Sequence, residues 1–176
     1  MSNCNHSNCG CATDDKSIML GQAANLTHLA QHWLGRNRPE LAAPFLDLGQ
    51  KLLHEAGATN SHEQFWLTTV KIGLAEARKS PATCVRHARS ALALAARLVP
   101  EDDPLMAIAK GNLGQTLVLS GDQSARDEAR KLLSQAIFVL SDPKSVSERY
   151  QRSYLDAGVA EYARALQSMD GLASLS

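Results

Sequence analysis

Cys4, His6, Cys9 and Cys11 bring three thiols and one imidazole within eight positions near the start of the chain. Thiolate sulfur and imidazole nitrogen are soft or borderline donors, suited to Zn²⁺, Cu⁺ or an iron–sulfur cluster. Gly10 lets the backbone turn between ligands. The C-x4-C-x-C spacing is that of no standard zinc finger. Two readings therefore stand side by side: a metal-binding tail, and an unstructured polar tail whose cysteines are incidental.

Other reactive side chains have plainer readings. Cys84 and His87 are three apart on an expected helix, within reach of each other as nucleophile and base. Cys84 nevertheless falls where neighbouring segments carry alanine, and a small thiol packs there as a hydrophobe. His28 and His32 are one helical turn apart, a spacing that can ligate a metal and that also occurs on ordinary exposed faces. His54-Glu55 and His62-Glu63 lack the second histidine of an H-E-x-x-H metal site and flank an expected turn. The chain has no Gly-rich phosphate loop and no dinucleotide fingerprint. No catalytic set is assembled, and no enzymatic activity is expected.

The elements that must position these residues are helical. The chain has 176 residues, 44% of them hydrophobic and only 5% aromatic, which suits one domain of packed helices. Its 18 basic and 18 acidic side chains balance, so no global field favours nucleic acid or anionic lipid. Arg86, Arg89 and Arg97, then Arg126, Arg130 and Lys131, read as a solvated outer face without interleaved aromatics to stack bases. No run approaches the ~18 apolar residues of a membrane span. The first fifteen residues lack a basic segment followed by an apolar one, so no secretory signal is read and a cytoplasmic location is expected.

Start and stop signals divide the chain. Ser61 with Gln64, and Ser145 with Glu148, have capping-box spacing. Ser80-Pro81 and Asp103-Pro104 each set a capping side chain before a proline at the first helical position. Gly35, Gly57 and Gly121 mark helix ends. Ser61, Asp103 and Ser145 follow one another at 42 residues, as do Pro39 and Pro81. This spacing predicts helices over 17–35, 39–56, 61–79, 81–99, 103–120, 124–140 and 145–169: three hairpins and a last helix.

The hairpins agree in side chains. Leu29, Ile72, Leu113 and Leu155 fall in one slot, followed by Ala30, Gly73, Gly114 and Asp156. In the second helices Ala42, Cys84 and Ala129 correspond, then Leu46, Ala88 and Leu133, then Gly49, Ala91 and Ala136. With Asn112-Leu113-Gly114, Gly121-Asp122, Ala129 and Ala136 as the closest match, the segment 17–169 resembles the tetratricopeptide repeat. Trp33 stands at the family's first-helix aromatic, where the later repeats have Glu76, Leu117 and Val159. The period is longer than the family's usual ~34, and three residues are inserted after Gly121.

The resemblance implies an all-α fold, a right-handed stack of antiparallel helical hairpins flanked by tails at 1–16 and 170–176. It also implies a scaffold or adaptor that binds another protein and needs no cofactor. Carried onto this sequence, the family's groove positions are Gln31, Leu67, Val70, Leu74, Arg78, Ile108, Gln115, Tyr150 and Ser153. The rival expectation is an accessory factor for a metalloprotein, docking through the repeats while the tail carries metal through Cys4, His6, Cys9 and Cys11. Neither reading involves nucleic acid, membrane or a small-molecule substrate.

Overall fold

The computed structural model describes residues 11–147 and 150–173. Among them the chain is all-α: seven α-helices and two short 3-10 turns, with no strand. It divides into two compact units, Met1–Leu67 and Thr68–Ser176, with the division falling inside the third helix.

In the first unit α1 (Cys11–Gly35) and α2 (Pro39–Glu55) form an antiparallel hairpin. Asn37 turns the chain in the left-handed region at φ 55°. Its N–H reaches Leu34 O at 2.8 Å, and that of Arg38 reaches Trp33 O at 2.9 Å, which satisfies the carbonyls orphaned at the end of α1. The glycine expected at this role, Gly35, is instead the last helical residue. Pro39 then opens α2 where a missing N–H costs nothing. Gly57, at φ 61°, closes α2 with the same pair of bonds, to His54 O and, from Ala58, to Leu53 O. Ala23, Thr27 and Ala30 are the buried stripe of α1, at i, i+4 and i+7. Leu29 lies off that stripe and is 44% exposed, unlike Ile72, Leu113 and Leu155 of the same slot, which are buried. A Cβ at Gly49 would lie 2.9 Å from Leu67 Cδ1, so the small residue lets α2 approach the start of α3 (His62–Ala77).

The Ser61 cap forms in part. Ser61 Oγ accepts from Gln64 N at 3.2 Å, but the Gln64 side chain exchanges two amide hydrogen bonds with Gln50, at 2.9 and 3.2 Å. A partner of matching amide chemistry on α2 outcompetes the backbone return that a capping box requires.

The second unit holds the rest of α3, α4 (Pro81–Leu98), α5 (Pro104–Ser120), α6 (Arg126–Ser141) and α7 (Arg152–Ala173). Lys79, at φ 54°, makes the α3–α4 turn with bonds like those at Asn37: its N–H to Glu76 O and that of Ser80 to Ala75 O. Asp103 caps α5 by accepting from Leu105 N at 2.7 Å. Gly121, at φ 71°, ends it. Asn37, Lys79 and Gly121 are thus the left-handed residues after α1, α3 and α5, each 42 residues from the next.

α5 is the centre of this unit, in contact with α4, α6 and α7. It is buried nearly all round, from Leu105 through Ala109 and again at Gly111, Leu113, Gly114, Thr116 and Leu117. A Cβ at Gly114 would fall 2.7 Å from Leu133 Cγ and 3.1 Å from Ala129 O, so α5 and α6 meet there almost backbone to backbone. On α7, Leu155, Tyr162 and Met169 repeat at seven residues and form its buried edge.

Three helix starts differ from expectation. α1 begins at Cys11, not at 17, because 12–16 contain no glycine or proline to break the helix. The residues inserted after Gly121 form a 3-10 turn, Gln123–Ala125, so α6 begins at Arg126. α7 begins at Arg152, not at 145. The chain turns at Asp142, whose carboxylate accepts from Lys144 N ahead of a second 3-10 turn, Pro143–Ser145. Ser145 is buried in that turn and donates its hydroxyl to Val139 O at 2.6 Å. Glu148, its expected partner, lies outside the described residues.

Candidate functional site

Cys4, His6 and Cys9 lie outside the described residues, and so does the side chain of Cys11, whose backbone begins α1. Among the described residues no group of three or more His, Cys, Asp or Glu side chains is placed to hold a metal ion. His28 and His32 are both exposed on α1, where His32 meets Trp33 edge-on at a 5.5 Å centroid separation.

Cys84 is buried, and its Sγ donates to Ile72 O at 3.8 Å, not to His87. Burial, then the negative charge of Glu76, pushes the thiol pKa up. For His87, burial first and then the charges of Lys71 and Arg86 pull the imidazole pKa down. Both shifts favour the neutral pair, whereas a thiolate nucleophile needs the opposite. Cys84 packs as its alanine counterparts Ala42 and Ala129 do.

The nine groove positions separate by burial. Leu67, Val70, Leu74, Ile108 and Tyr150 are all buried and pack in the core. The register carried from the family assumes that one face of each first helix is open. Here α3 and α5 bury apolar side chains on most of their circumference, and Tyr150 precedes α7 instead of lying on it. Gln31, Arg78 and Ser153 are exposed and Gln115 is half-buried. Gln31 lies in the first unit and the other three in the second.

Gln115 lines a hollow. It lies between α5 and α7, with Val118 and Leu119 on one wall and Glu161, Arg164 and Ala165 on the other. Arg164 Nε is held by Ala160 O at 3.3 Å. A second hollow, lined by Glu76, Lys79, Ser80, Cys84 and Thr116, shares one residue with the first. That residue is Leu119, 58% exposed. The Thr116 hydroxyl is satisfied by Leu113 O, so the second hollow is floored by apolar and internally bonded groups. Mixed charges stand on both rims: Glu76 and Lys79 on one side, Glu161 and Arg164 on the other.

No family model, curated protein or solved structure matches the chain. The site therefore rests on its own geometry. Gln115 is among the nine positions named from the sequence, and Leu119, one turn further along the same helix, is not. The signal was present: an apolar residue in the last turn before Gly121, next to positions read as a binding face.

Proposed function

We propose that the protein is a non-catalytic, tetratricopeptide-like scaffold that holds a partner protein against the second unit, with Leu119 as the apolar anchor. One observation carries the reading: a large aliphatic side chain stands 58% exposed where two hollows meet, each lined by apolar and oppositely charged residues. Apolar anchors surrounded by polar rims are where binding energy concentrates in protein interfaces. The matched slots Leu113, Ala129, Leu133 and Ala136, all buried, support the repeat reading.

The test is a photo-reactive amino acid placed at Leu119 and, as a control, at Phe138 on α6. Crosslinking from position 119 to a defined partner is expected. Leu119→Asp should then weaken that partner's binding at least about tenfold, or ~1.4 kcal/mol. Equal affinity of the variant and the wild type would move the site elsewhere.

A second reading is motivated by the four metal-ligand side chains at Cys4, His6, Cys9 and Cys11. In it the protein serves a metalloprotein client and the tail carries metal. Elemental analysis of anaerobically purified protein beside a variant with serine at positions 4, 9 and 11 decides it. Equal, negligible metal in both proteins ends that reading.

A further inference from the structure

We draw no further inference here: the strongest candidate, the apolar patch where Phe138 stands 81% exposed beside Ile137 and Leu166 on α6 and α7, is an unpartnered face, and nothing in the structure shows what covers it.

Discussion

Tyr162 of α7 places its ring in the space that a side chain at Gly111 of α5 would fill, and its hydroxyl donates to Asn112 Oδ1 at 2.9 Å, with Ile108 O at 3.3 Å. Burial raises the phenol pKa well above its ordinary value, so Tyr162 remains a neutral donor throughout the working pH range. The last helix is fastened to the central one by this ring and bond together. Gly111→Ala is expected to destabilise by about 1–3 kcal/mol, the usual range for overpacking. Tyr162→Phe, which leaves Asn112 without its donor, should cost about 1–2 kcal/mol. Urea denaturation measures both, and hydrogen exchange should show α7 protection falling more than α4 protection. A Gly111→Ala protein with unchanged stability would mean that the ring does not sit there.

Gly114 makes the corresponding contact with α6. Gly114→Leu must displace Leu133 or the Ala129 carbonyl, and backbone is the less yielding neighbour. The loss should reach or exceed the upper part of the ~1–3 kcal/mol overpacking range. Leu119→Asp, on the same helix but half-exposed, should change stability by no more than about 0.5 kcal/mol. Thermal melts of the two variants side by side test the assignment of buried and open faces on α5, which fails if the two lose stability equally.

Lys79 occupies a left-handed conformation for which L side chains carry a steric cost of ~1–2 kcal/mol. Gly121, 42 residues later, fills the corresponding turn without it. Lys79→Gly should therefore stabilise the protein by about 0.5–1 kcal/mol, once the greater chain entropy of glycine is set against the relief. Asn37→Gly should do less, since asparagine tolerates this region. A lower melting temperature for Lys79→Gly would show that the Lys79 side chain contributes contacts that outweigh the strain.

His87 predicts how stability varies with pH. Burial, then the charges of Lys71 and Arg86, lowers its pKa in the folded state below the usual 6.5. The unfolded chain thus binds the proton more readily, and stability rises with pH between the two values. The contribution is fully present above about pH 6.5 and is lost as pH falls toward the folded pKa. Replacing His87 with Gln should flatten the stability profile below pH 6.5, as read by urea titrations at a series of pH values. An unaltered slope would assign the acid sensitivity to other groups.

The sequence by itself determined where most helices start and stop. Asp103-Pro104, Ser61, Gly57 and Gly121 act through hydrogen bonds and backbone angles within a few residues of themselves, so their meaning survives any tertiary arrangement. The 42-residue period was legible for the same reason, and it returns in the turn residues Asn37, Lys79 and Gly121. Ser145 has the spacing of a cap, but Asp142 and Pro143, a signal not read from the sequence, form the turn there. Burial was decided elsewhere. Leu74 and Leu119 are both leucines late in a first helix, yet the former is 9% exposed and the latter 58%. Side-chain burial depends on which distant surfaces close over a helix face, and only the packed structure supplies those surfaces.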